Sequence, residues 1–180
     1  DSSFREDLCV AWRENAFQWI AANRADLVIL ANIYPTESQR NPGLQSSSLE
    51  TYRNGIRRTL LRLAQNKVPV VLIRDSPHED FNIPDCLARS ARTNLFPRES
   101  CRMAAHDALH PEFFEADRNA AVGLPNVSVL DLSSEFCPGR YCDVERSGLV
   151  LYRDHQHFTR SYSLTLAAYV EPVMERILGR

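Results

Sequence analysis

An acid and an imidazole stand three residues apart in Leu151-Tyr152-Arg153-Asp154-His155-Gln156-His157-Phe158-Thr159, just ahead of a helical pattern that closes the chain. A carboxylate at Asp154 can accept the Nδ1–H of His157, select its tautomer and stabilise the imidazolium that forms when the ring takes a proton. Nε2 is then free to act as a general base on a hydroxyl nucleophile. Phe158 and Thr159 would turn the chain into the final helix and hold the loop still. Two other readings compete. Asp-x-x-His before a helix also serves as a cap beside a surface imidazole. Asp154, His155 and His157 could also bind a metal, although Cys or Glu partners at ligand spacing are missing nearby.

Positioning such a pair requires a scaffold, and the hydrophobic pattern outlines one. Phe4, Leu8, Trp12, Ala16 and Ile20, widened by Trp19, mark the buried face of a helix over 4–23. The unbroken apolar run Leu27–Ala31 predicts a strand buried on both faces. A Pro/Ser/Asn/Gly-rich loop over 35–46 follows. Ser47 and Glu50 form a capping-box pattern, and Leu49, Tyr52, Ile56, Leu60 and Leu63 make the inner stripe of the second helix. Val68–Ile73 is a second strand, with Pro69 near its start. One short helix is expected around 85–92, and a longer helical stretch over 100–121 breaks near His110-Pro111. Val127–Leu132 is a third strand and Leu149–Leu151 a short one. The last helix, 160–178, carries Leu164, Ala167, Ala168, Val173 and Ile177 inside, with a kink at Pro172. Alternating helix and strand is the βαβ rhythm of a parallel sheet.

Ligands of an open parallel sheet bind beyond the C-terminal ends of its strands. Asn32 follows the first strand, Asp75 and Ser76 the second, and the Asp154–His157 loop can return to the same edge. Asn32 is either an oxyanion donor or a polar cap on a strand end. Ser76 is the best internal nucleophile by position, but Arg74-Asp75-Ser76-Pro77 has no glycine for a tight exposed turn. Ser2 stands too close to Leu27 to leave room for a strand and a helix between them. No G-x-S-x-G occurs.

The 180 residues suit one domain, and 21 basic against 23 acidic residues give a net charge of −2. That balance provides no footprint for nucleic acid or anionic lipid. No apolar run reaches the roughly 20 residues of a membrane helix, and the chain opens on Asp1-Ser2-Ser3 without a signal peptide. This start suggests a piece of a longer polypeptide. Of five cysteines, Cys137 and Cys142 flank a Pro-Gly turn and could close a small disulfide loop. Cys86 and Cys101 could staple the segment between them, which leaves Cys9 over. The alternative is five reduced thiols in a cytosolic protein.

Four stretches together resemble one family: Asp26–Asn32, Asp85-Cys86-Leu87-Ala88-Arg89 through to Cys101, Asp131 followed by Phe136-Cys137 through Cys142, and Leu151–Thr159. They look like the SGNH (GDSL-type) hydrolase-like domain fused to membrane-bound acyltransferase-3 enzymes that O-acetylate bacterial surface polysaccharides. The resemblance implies a three-layer α/β/α fold with a mainly parallel sheet and a Ser-His-Asp triad in which His157 is the base and Asp154 its orienter. It places Asn32 near the family's oxyanion asparagine, without the Gly-x-Asn-Asp context. The family's Gly-Asp-Ser block and the glycine of its second block do not occur here, so residues 1–180 are expected to be a single domain truncated on its N-terminal side. The implied partners are an acyl donor, a glycan acceptor and an N-terminal multi-span membrane acyltransferase domain in the parent chain, at the periplasmic face of the bacterial inner membrane. No cofactor, metal or nucleic acid is implied. A carbohydrate esterase of the same fold and a non-catalytic glycan-binding domain are the rival outcomes.

Overall fold

The computed structural model describes residues 2–34, 45–92 and 97–179. Helix α1 (Ser2–Asn23) leads into strand β1 (Val28–Ala31). Helix α2 (Gln45–Gln65) carries the chain to β2 (Val70–Ile73). Then come α3 (Ile83–Arg92), a 3-10 turn (Arg98–Cys101), β3 (Met103–Ala104), α4 (Ala105–Leu109), α5 (Pro111–Ala121) and β4 (Val127–Leu130). Short elements follow: α6 (Ser133–Phe136), β5 (Tyr141–Cys142), β6 (Glu145–Arg146) and β7 (Leu149–Val150). Helices α7 (Arg160–Thr165) and α8 (Ala167–Leu178) end the chain.

β1, β2 and β4 form a parallel sheet in that order, with Val28 opposite Val70 and Val70 opposite Val127. Two antiparallel pairs, β3 with β5 and β6 with β7, stand apart from it. The architecture is mixed α/β, consistent with the expected α/β/α layering. Helical crossovers between parallel strands force every strand end that follows a crossover onto one edge, which is what a site built from several loops needs.

Two cores hold this frame. One face of the sheet packs Val70 and Leu72 against Leu60 and Leu63 of α2, Ala120 of α5 and Phe17 of α1. The second core lies among the segments that follow the strands, with Ile83, Cys86, Cys101, Met103, Phe136, Cys142, Leu151, Tyr152 and Tyr162 all buried. Cys86–Cys101 and Cys137–Cys142 are disulfides within it, as the spacing suggested, and Cys9 is free and exposed. The first bridge closes a span of 15 residues, a length whose closure stabilises by about 3 kcal/mol.

Three helical and strand expectations are corrected. Part of the stripe assigned to the inner face of α1 points outward: Leu8 is 55%, Trp12 71% and Trp19 63% exposed, while Ile20 packs as expected beside Phe17, which the stripe left out. Arg62 of α2 fixes that rotation, with its guanidinium over the Phe17 ring and an ion pair to Glu14. β1 is buried on one face only, because Val28 and Leu30 join the core while Ile29 is 53% exposed. It is the edge of the sheet, with no second neighbour among the described residues. The last helix breaks at Leu166 rather than at Pro172, which α8 accommodates. The Thr165 hydroxyl takes the Tyr162 carbonyl at 2.7 Å, and Leu166 N–H turns to Ser163 O instead, a side-chain competition that ends regular α-helix. Leu164 is exposed and α8 has no fully buried residue; Tyr162 is the anchor.

The break at His110-Pro111 is present. His110 adopts φ 44°, ψ 63° and serves as both the end of α4 and the start of α5. A left-handed residue before a proline turns the chain sharply, since the proline ring disfavours helical backbone at the preceding position. The start of α2 is Gln45, two residues before the predicted cap, and the loop expected over 35–46 lies almost wholly outside the described residues.

Candidate active site

The loop from Tyr152 to Phe158 is pinned at both ends before any side-chain chemistry is considered. Tyr152 bridges Phe158 across it, Arg153 N–H donates to His157 O at 2.9 Å, and Thr159 N–H donates to Leu151 O at 2.7 Å. The Phe158 ring lies about 5 Å from Tyr152, Phe136 and Tyr162, the spacing of favourable aromatic pairs. Thr159 is the N-cap of α7: its hydroxyl accepts from Tyr162 N–H and donates to Val150 O. The hydroxyl and the ring that follow His157 thus lock the loop to a buried base.

On that base, Asp154 uses both carboxylate oxygens. Oδ1 accepts the backbone N–H groups of Gln156 at 2.9 Å and His157 at 2.8 Å, and Oδ2 meets His157 Nδ1 at 2.8 Å. Burial pushes this carboxyl up. The two amides and the imidazole outweigh that and hold it well below the usual carboxylate range. An ionised acid on Nδ1 makes that nitrogen the N–H donor and leaves Nε2 with its lone pair. The side chain of His157 is 53% exposed, and its Nε2 lies 3.5 Å from the Gln156 amide nitrogen. The pair can accept a proton from a hydroxyl presented from solution or from another segment. Asp154 and His157 engage each other, and among the described residues no group of three or more His, Cys, Asp or Glu is arranged to hold a metal.

The segment after β2 reaches this loop, and the end of β1 is fastened to that segment. Ser76 Oγ donates to Gln156 O at 3.1 Å, and Glu79 N–H donates to His155 O at 3.2 Å. Asp75 accepts Tyr34 N–H on Oδ2 at 2.8 Å and Ser76 N–H on Oδ1 at 2.9 Å. Its carboxyl is raised by burial, against which those amides and the charges of His78 and His157 work. Asn32, at the end of β1, has its Nδ2 fully buried, and its side-chain amide acts on Asp117 and Tyr52. Below it, Asp117 is fully buried and accepts the phenols of Tyr34 at 2.6 Å and Tyr52 at 2.8 Å. An amide donor at a strand end is the kind of group that can meet an oxyanion. On the far side, Arg74 ties β2 to the end of β4 by donating to Asp131 Oδ2 at 3.0 Å and Leu109 O at 3.1 Å, with its guanidinium over Phe114. Ser76 is therefore engaged with the histidine loop as a hydrogen-bond donor.

Sequence reasoning missed a buried imidazole pair. His78, three residues beyond Asp75, meets His110 with Nε2 to Nε2 at 3.1 Å, and both rings are buried. Nothing in their spacing of 32 residues announces it. Glu112 on α5 stands 4.0 Å from His110 Nδ1, while Asp75, Asp80 and His155 act on His78 through space. Burial lowers the proton affinity of His78 below the ordinary 6.5, against the pull of Asp75. Below pH 6.5 the unfolded chain therefore binds a proton that the folded chain refuses, and this contribution to stability is lost as pH falls. Denaturant titrations from pH 7 to pH 5 should show that loss, with a slope of at most about 1.4 kcal/mol per pH unit for this ring. A His78→Gln variant should show a shallower slope. Asp75 and Asp117, raised by burial, stabilise in the opposite sense, so the difference between the two proteins isolates the imidazole. Equal slopes would show that His78 takes up its proton in the folded state.

A family model described as SGNH domain (fused to AT3 domains) matches residues 1–172. No curated protein and no solved structure matches the chain.

Proposed function

The chain belongs to the SGNH domain family whose members are fused to AT3 domains. From that premise we propose that it is the periplasmic domain of a membrane acyltransferase that transfers an acyl group, acetyl in the simplest case, to sugar hydroxyls of a cell-surface polysaccharide. The family's fusion to AT3 domains supports a membrane acyltransferase partner domain in the parent chain, and no described helix here is long and apolar enough to cross a bilayer itself. The observation that carries the reading is the Asp154–His157 pair, with Nδ1 held on a carboxylate kept ionised by its amides and an imidazole half exposed.

In this reading a serine outside the 180 residues supplies the nucleophile. His157 Nε2 takes the serine proton as the oxygen attacks the acyl carbonyl of the donor. The tetrahedral oxyanion collapses, and the donor's leaving group departs with that proton. A sugar hydroxyl then gives its own proton to Nε2 and attacks the seryl ester, and the serine leaves with the proton restored. Asn32 Nδ2 is the proposed donor to the oxyanion in both halves.

The exposure of His157 also suits water as the second nucleophile, which would make the domain a carbohydrate esterase. Assay of the full-length parent with and without a glycan acceptor separates the two. Acylated glycan that grows with acceptor concentration is the expected result, and acyl release to water at an unchanged rate would overturn transfer. The 180-residue chain alone should leave an aryl acetate intact; turnover by it would mean that the nucleophile lies within it.

A further inference from the structure

One hydrogen-bonded path crosses the sheet edge and ends at the candidate catalytic loop. Tyr34 is its first node: its phenol is held by buried Asp117, and its amide donates to Asp75 Oδ2. Asp75 Oδ1 takes the amide of the next residue, Ser76, and Ser76 Oγ donates to the carbonyl of Gln156. The amide of Gln156 in turn donates to Asp154 Oδ1, the oxygen beside the one on the imidazole. The same stretch adds Glu79 N–H on His155 O. The far anchor of the stretch is His78, whose amide donates to Ala108 O and whose ring meets His110.

We infer that Asp75 and Ser76 act as a positioning pair that holds the His157 loop in register with the end of β1, where Asn32 stands. The inference rests on the catalytic reading of Asp154 and His157. Its physical basis is independent of that reading. The Tyr152–Phe158 bridge fixes only the base of the loop; the carbonyls at its tip, His155 and Gln156, receive their donors from the segment after β2. That segment is in turn fastened to β1 through Asp75. Neither residue needs to touch substrate. What they set is the distance between two groups that would act on one acyl carbon, and a displacement of about 1 Å in such an arrangement costs roughly 100-fold in rate. A serine is well suited to the place, since its short hydroxyl reaches the Gln156 carbonyl at 3.1 Å.

Ser76→Ala in the full-length parent should lower kcat about 10- to 100-fold and leave KM within about twofold, because binding of donor and acceptor is not what it supports. Ser76→Thr, which keeps the hydroxyl, should recover most of the loss. Asp75→Asn should behave like Ser76→Ala, since a carboxamide offers one acceptor where two amides need one each. The decisive readout needs no turnover: amide hydrogen exchange at Gln156 and His157 in the 180-residue chain should speed up about 10-fold in Ser76→Ala and return toward the parent rate in Ser76→Thr. Faster exchange in a protein whose wild-type parent transfers no acyl group would uphold the positioning pair and sink the catalytic reading. Unchanged exchange at both amides would overturn the inference whatever happens to kcat. If the alanine variant fails to fold, Ser76→Cys, which keeps the shape and donates weakly, carries the same comparison.

Discussion

His157→Ala in the full-length parent should lower acyl transfer by about four orders of magnitude or more, with the melting temperature nearly unchanged. The effect is large because the imidazole moves a proton in both halves of the proposed reaction, and removing the base of such a triad leaves only what oxyanion stabilisation and binding supply. Stability should be spared because the ring is half outside the protein and its main partner, Asp154, keeps two backbone amides. The measurement is kcat/KM with a defined acyl donor and glycan, alongside a thermal melt. A variant with full activity would remove the catalytic reading and favour a glycan-binding role for the same fold.

Asp154→Asn should cost nearly as much, about 10⁴-fold, for a different reason. The amide oxygen can still accept from Gln156 and His157, so the turn should survive. The amide nitrogen, however, would face His157 Nδ1 as a donor. That ring nitrogen would have to become the acceptor, and the proton would move to Nε2, the atom meant to be basic. The variant would be a folded protein with its imidazole in the wrong tautomer and without the anion that stabilises the imidazolium. A ¹⁵N spectrum of the ring, read beside kcat, distinguishes this from unfolding: an Nδ1–H signal that persists in the variant would defeat the explanation.

The parts of this molecule that were readable from residue types are those where a local rule acts alone. The β1, β2 and β4 cores, the break before Pro111, the 83–92 helix and both disulfides follow from short apolar runs, proline and thiol spacing. The Asp154-x-x-His157 geometry follows too, because three residues of loop bring a carboxylate back onto its own amides. What escaped depended on neighbours distant in sequence. The rotation of α1 is decided by Arg62, and the stop at Leu166 by a threonine hydroxyl that composition treats as one more helix residue. The burial of β1 on a single face depends on what lies beside it. The site's supporting frame escaped for the same reason. Tyr34, Asp75, Ser76, His78 and Asp117 are ordinary residues in sequence, and they gain meaning only when a parallel sheet brings two strand ends and a distant loop to one edge. Sequence did mark Asn32, Asp75 and Ser76 as strand-end residues. It could not show that Asn32 buries its amide beside Asp117 or that Ser76 spends its hydroxyl on Gln156.

The turn at 154–157 has an outcome for any rate–pH curve of the parent. Its paired peptide N–H groups keep Asp154 an anion far into acid. This carboxylate therefore adds no bend of its own on the acid side of the curve where a free aspartate would titrate. In a domain proposed to face a compartment whose acidity drifts with the surroundings, that removes an ionisation which a looser turn would have exposed.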